Sequence, residues 1–190
     1  MYNKLVNIIL KNSIIKQFEK DEIIFDENDK CDSLVIIIDG KVKIASYTYQ
    51  GNEIIFNVLT NNQMFGQSLL FSSSPFYKVK IFAVKKSKLA FINKNKLISI
   101  LLDNNLYEYF INIVSDEVLS SKQRIRILSF NNVSDRLLYL LHSNKIIYFN
   151  SISELAKTLC VTRENLSKTI SKLITKQIII KEGKFIKLAK

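Results

Sequence analysis

Cysteine, proline, glycine and histidine are all scarce in this chain, whose 190 residues hold 2 Cys, 1 Pro, 4 Gly and 1 His. So little proline and glycine excludes a collagen-like or proline-rich polymer. The two cysteines, Cys31 and Cys160, lie far apart with no CxxC spacing. That argues against a zinc site or an iron–sulfur cluster and suits a reducing, cytoplasmic setting. With His142 as the one imidazole, most acid–base constellations would depend on carboxylates, and there is no P-loop, GxGxxG, GxSxG or metal-ligand cluster. The expectation is a non-enzyme without metal or cofactor. Long apolar runs are missing too. Stretches such as Leu34 to Ile38 are strand-sized, far short of the roughly 18 residues a membrane span needs. The N-terminus shows no apolar core followed by a small-residue cleavage site, so no secretory signal is read there. Disorder is excluded by composition, since 47% of residues are hydrophobic and 24% charged.

What the chain has in excess is positive charge. The formal net charge is +11, from 28 Lys+Arg against 17 Asp+Glu. Residues 1–130 carry 17 basic and 13 acidic side chains, whereas 131–190 carry 11 and 4. The last third therefore holds most of the excess, and a polyanionic partner fits it. A lysine-rich solvated surface is the plainer explanation of the same count.

Along the chain, residues 3–18 read as a short helix, from Leu5, Ile8, Ile9 and Ile15 at helical spacing. Short β-branched or aromatic runs follow at 23–25, 34–38, 41–45, 53–59, 78–83 and 88–92, separated by polar punctuation. Asp39-Gly40 between two runs signals a type I′ hairpin. Strands this short without intervening helices imply an antiparallel sandwich or barrel. From Asn95 to Ser129 the period turns helical, broken at Asp103-Asn104-Asn105. The second helix, about 24 residues, is longer than its own sheet needs and would cap at Asn104 or Asn105. Its apolar stripe can pack on its own barrel or form a seam with a second copy. Residues 130–134 read as a connection, with Ser134 capping the next helix.

Residues 151–173, SISELAKTLCVTRENLSKTISKL, carry the most specific pattern. Ser151 or Ser153 can cap a first helix, with Glu154 completing a capping-box spacing from Ser151. Ala156, Leu159, Val161, Leu166 and Ile170 are the positions a helix-turn-helix buries, Ala156 being small because the second helix crosses there. The turn falls at Cys160-Val161 and Thr162 caps the second helix. That helix shows Arg163, Glu164, Ser167 and Lys168 outward, with Lys172 as a further contact. Arg can donate two hydrogen bonds to guanine and Glu can accept from cytosine, whereas Thr162 and Ser167 reach phosphates. An ordinary helical hairpin with a charged surface is the bland alternative. Residues 177–188 then read as a two-stranded wing whose lysines could touch the backbone.

Over nearly its whole length the chain resembles the Crp/Fnr family of transcription regulators. The likeness rests on VIIIDGKVKI (35–44), MFGQSLLF (64–71), the long helix, and TRENLSK (162–168) where the family often shows SRETVSR. It implies an α+β fold: an N-terminal antiparallel β-roll of the cyclic-nucleotide-binding type at 1–102, a dimerisation helix at 103–130, and a winged helix-turn-helix at 131–190. It also implies a homodimer that reads a palindromic site on double-stranded DNA, with RNA polymerase as a further partner and no membrane. The base-reading positions fall on Arg163, Glu164 and Lys168. The third is commonly Arg, and Lys lacks its two-pronged fork. The turn glycine is Cys160 here.

In the roll the pattern is broken. The ribose-binding Glu is Gln67 and the phosphate-binding Arg-Ser pair is Tyr77-Lys78. The expected effector pocket comprises Gly66, Gln67, Ser68, Tyr77 and Lys78, and these replacements argue against cyclic AMP. An effector would be another small molecule, or there is none. Two cysteines are too few for the Fnr-type cluster, and His142 lies outside the roll. Cys31 could be a redox thiol, though nothing nearby in sequence lowers its pKa. A second reading makes the roll a ligand-binding signalling module and the C-terminal domain a protein-contacting scaffold.

Overall fold

The computed structural model describes residues 2–189 and divides into two compact units, separated between Val114 and Ser115. Helix α1 (Tyr2–Lys11) buries Leu5, Val6 and Ile9. It stops because Asn12 and Ser13 turn back on it: Asn12 Nδ2 donates to Ile8 O at 2.9 Å and Ser13 Oγ to Ile9 O at 2.7 Å. Residues 14–18 are therefore not helix, as the spacing suggested. They form β1 (Ile14–Phe18), which runs antiparallel to β8 (Ser87–Asn93), Ile14 opposite Phe91 through Phe18 opposite Ser87. A ladder closed with a strand about seventy residues away outweighs the local period, and β-branched Ile14 and Ile15 suit it.

Two four-stranded sheets make the roll. One has the order β1-β8-β3-β6, with β3 at Ser33–Asp39 and β6 at Met64–Phe65. The other has the order β2-β7-β4-β5, from Ile23–Phe25, Lys80–Ala83, Lys41–Tyr47 and Glu53–Thr60. Leu34, Ile36, Val42, Ile81 and Leu89 lie in one core with the helices. The Asp39-Gly40 signal is not a hairpin, because β3 and β4 belong to different sheets. It is the corner where the chain steps from one sheet to the other. Only Gly40 of the pair has positive φ, 134°, and a Cβ there would lie 2.2 Å from Ser87 Oγ. The corner requires glycine for lack of space as well as for φ.

Helix α2 is one turn, Gln67–Leu70. After α3 (Lys94–Asp103), Asn104 closes that helix through Nδ2 to Ile100 O at 2.9 Å, and Asn105 takes a left-handed φ of 53°. Neither asparagine caps α4 (Tyr107–Leu128), as spacing had suggested; both are used in leaving α3. Leu106 and Phe110 join the roll's core, whereas Ser115 through Arg126 are exposed at every position.

In the second unit, α5 (Val133–Asn144) is capped by Asn132, whose side chain accepts from Asp135 N at 2.8 Å. Ser134 lies inside the helix and not at its cap. Then follow β9 (Ile146–Tyr148), α6 (Ile152–Thr158), α7 (Arg163–Thr175), β10 (Ile179–Glu182) and β11 (Phe185–Leu188). The wing is three-stranded, β10-β11-β9, one strand more than the sequence reading. Leu137, Leu141, Leu159, Leu166 and Ile186 are fully buried at its centre. Among the described residues no helix is long and apolar enough to cross a membrane.

Candidate nucleic-acid interface

Helix α6 begins at Ser151, whose Oγ accepts from Glu154 N at 3.1 Å, while Glu154 Oε2 accepts from Asn150 N. Leu155 and Ala156 are buried on its inner face. The chain turns at Cys160, which takes a left-handed φ of 54° where glycine would be unstrained. Thr162 then caps α7, its Oγ1 accepting from Asn165 N at 3.2 Å. The hydroxyl proton stays available for a phosphate oxygen. Leu166, Thr169, Ile170 and Leu173 form the buried face of α7.

The opposite face carries the expected residues. Arg163, Glu164, Ser167 and Lys168 stand at i, i+1, i+4 and i+5, which a helix places side by side. All four are exposed, as are Thr162 and Lys172. The first five of these six line one open concavity. The cap leaves the positive end of the α7 dipole facing the same side, which favours phosphate. On the wing, Lys181 and Lys184 are exposed, while Lys187 pairs with Glu182 at 3.5 Å.

One residue that positions this surface was not foreseen. Arg136 on α5 donates through Nε to Phe130 O at 3.0 Å, and through Nη1 to Leu159 O at 3.1 Å and Cys160 O at 3.2 Å. It satisfies the carbonyls left over at the end of α6 and clamps the left-handed turn. Its partners lie 23 and 24 residues ahead, and no local pattern marks such a bond.

The roll's five candidate residues separate into two groups. Ser68 and Lys78 face solvent, Lys78 Nζ donating to Asn28 Oδ1 at 3.4 Å. Gln67 and Tyr77 are buried, 7% and 4% exposed. Tyr77 stacks on Phe25 with ring centroids 4.5 Å apart. A Cβ on Gly66 would meet the Tyr77 hydroxyl at 3.3 Å and Cys31 Sγ at 3.4 Å, so ring and thiol close over the Gly66 backbone. Neither Tyr77 OH nor Gln67 Oε1 makes a hydrogen bond of ordinary geometry among the described residues. Burial pushes the Tyr77 phenol well above its usual range, and burial likewise raises the Cys31 thiol. Cys31 is thus held as a thiol, the reverse of a reactive thiolate. Among the described residues no group of three or more His, Cys, Asp or Glu could hold a metal ion.

Residues 15–104 match the cyclic nucleotide-binding domain family. The chain is similar to the anaerobic regulatory protein of Bacillus subtilis (strain 168), 24% identical over 166 residues, which is 87% of this chain and 63% of that protein. It therefore spans less than two thirds of that relative. Among solved structures it resembles CprK in its OCPA complex, with a TM-score of 0.64 and 18% identity over 98% of this chain and 89% of that one. It also resembles the catabolite activator protein of Thermus thermophilus, with a TM-score of 0.57 and 19% identity over 97% and 89%. At such identities the solved structures establish the fold. Residues 15–104 thus form a cyclic nucleotide-binding-type roll, and with its long helix and winged helix-turn-helix the chain resembles regulators of the Crp/Fnr family.

Proposed function

We propose that this protein is a homodimeric, sequence-specific DNA-binding transcription regulator. The observation that supports it most is the α7 face: Arg163, Glu164 and Lys168 exposed side by side behind a capped N-terminus. Arg163 reads guanine, Glu164 reads cytosine, and Lys168 adds a point charge. Thr162, Ser167 and Lys172 hold phosphates.

Dimerisation rests on α4. Tyr107, Ile111, Val118, Ile125 and Leu128 are each more than 40% exposed, and they fall in register with Val114 and Ser121 on a three-and-four repeat. That is the seam of a two-stranded coiled coil. A second copy covers it and brings two α7 helices to half-sites about 34 Å apart. RNA polymerase is the further partner such a role implies, and the cytoplasm is its place. Any effector acts by differential affinity for two arrangements of the dimer. Gln67 and Tyr77 supply no charge for a ribose or a cyclic phosphate, so cyclic AMP is not that effector.

The test is selection of bound DNA from a random pool at defined salt, because phosphate contacts dominate raw affinity. A palindrome should emerge. Arg163→Ala should then weaken that site by about 1–3 kcal/mol while leaving random DNA nearly unaffected. Equal losses on both would remove the base-reading role, and no enrichment at all would leave the C-terminal unit a protein-contacting scaffold.

A further inference from the structure

The roll has an open cleft of about 730 Å³ among residues of β1, β2, β3 and β8. It runs from the edge strand β1 to Ser33, whose carbonyl lies beside Gly66. That volume suits a small organic molecule. Its floor is aromatic. Phe18, Phe25 and Phe91 are half-buried, with Phe91 centred 6.1 Å from each of the other two rings. Tyr77 stacks behind Phe25, so the same ring that closes the Gly66 side supports this floor.

Its rim is cationic. Lys16, Lys30 and Lys96 line the cleft, and Lys16 Nζ stands 4.9 Å from the Phe91 centroid. Among the described residues, none of these three lysines forms a salt bridge; the pairs formed use other lysines. The two rim carboxylates are engaged locally. Asp29 Oδ2 accepts from Asp26 N, and Asp32 Oδ1 accepts from Ser33 Oγ, both at 2.7 Å.

We infer that this cleft binds a singly charged aromatic carboxylate, its ring on Phe18, Phe25 and Phe91 and its carboxylate among Lys16, Lys30 and Lys96. A flat ring recovers the apolar area that three half-open phenyl faces leave to water, and offset stacking sets its orientation. Unpaired ammonium groups above an aromatic floor select an anion over a neutral ring. Asp29 and Asp32 limit that anion to one charge, since a phosphate ester would bring more negative charge against them. The lysines supply point charges and no bidentate fork, which also suits a carboxylate better than a phosphate. The site lies wholly within the first unit and does not depend on the DNA-binding reading.

The experiment titrates the full chain with 2-naphthoate by calorimetry, beside 2-naphthamide and cyclohexanecarboxylate. Saturable one-to-one binding is expected for naphthoate, with the neutral amide and the saturated acid each weaker by about tenfold or more. Lys16→Gln combined with Lys96→Gln should weaken naphthoate by a similar factor, while Lys78→Gln leaves it unchanged. Amide shifts in the unaltered protein provide a readout that needs no variant, and they should cluster at 12–18, 29–33 and 91–96. No saturable binding into the millimolar range overturns the proposal. So do equal affinities for acid and amide, or shifts centred on Gly66 to Lys78 or on the exposed strand β5. A DNA selection that fails while naphthoate binds would overturn only the regulator reading.

Discussion

At the family's ligand positions in the roll, Gln67 and Tyr77 are uncharged, point inward, and leave Gln67 Oε1 and Tyr77 OH without ordinary partners among the described residues. At the family's base-reading positions on α7, Arg163, Glu164 and Lys168 are charged and point outward. Both sets lie in well-packed units, so the contrast does not come from packing quality. It comes from what each surface must meet. A helix that enters a groove keeps its charge because solvent or phosphate always surrounds it. A pocket that has lost its carboxylate and its arginine has no charge left to solvate and can fill with its own side chains. The charged face of α7 stays open to solvent, while Gln67 and Tyr77 have become part of the roll's core.

The change expected to act most strongly breaks the seam proposed for α4. Val118→Asp with Ile125→Asp places charge on the exposed stripe of α4 and leaves both cores untouched. Sedimentation should show monomers, and affinity for the selected palindrome should fall by about 100-fold or more, the avidity of two linked half-sites. A persistent dimer would refute the seam. Next is Arg136→Ala, which strips three carbonyls of their donor. Loss of a charged hydrogen-bonding group of this kind costs about 2–3 kcal/mol, to be read in urea unfolding of the second unit.

The buried pair in the roll predicts a pH response of the first unit. Cys31 and Tyr77 are neutral in the folded chain, with pKa values raised above the ordinary 9.0 and 10.0. Their contribution is therefore complete below about pH 9 and is lost as pH rises beyond it, because the unfolded chain releases those protons first. Urea midpoints for the first unit should drop between pH 9 and pH 11, and Tyr77→Phe should blunt the drop. An unchanged slope in that variant would separate the response from Tyr77. The smallest effect belongs to Cys160→Gly. Relief of the left-handed turn should stabilise the second unit by up to about 1 kcal/mol, less the entropy glycine adds to the unfolded chain.

Legibility followed the range of the interaction. The helix-turn-helix was readable because its cap, turn, small crossing residue and buried spacing all fall within 151–173. The strands at 23–25, 34–38 and 53–59 were readable from β-branched runs. Residues 14–18 were not, since their ladder partner is β8. The Asp39-Gly40 dipeptide was misread because a turn signal does not say which sheet the next strand joins. On α4 the stripe read as one contains two faces. Phe110 turns inward with Leu106 just before the helix, and Ile111, Val118 and Ile125 turn out.

From its residues alone the chain determined an antiparallel roll, a helix longer than one domain needs, and a helix-turn-helix with a charged face, because periodicity and capping act over a few residues. Only the tertiary structure decided that Arg136 holds the turn, that Tyr77 and Cys31 close over Gly66, and that three separated phenylalanines share a lysine-rimmed cleft. Those contacts join residues dozens of positions apart, and which of them form depends on how the cores close.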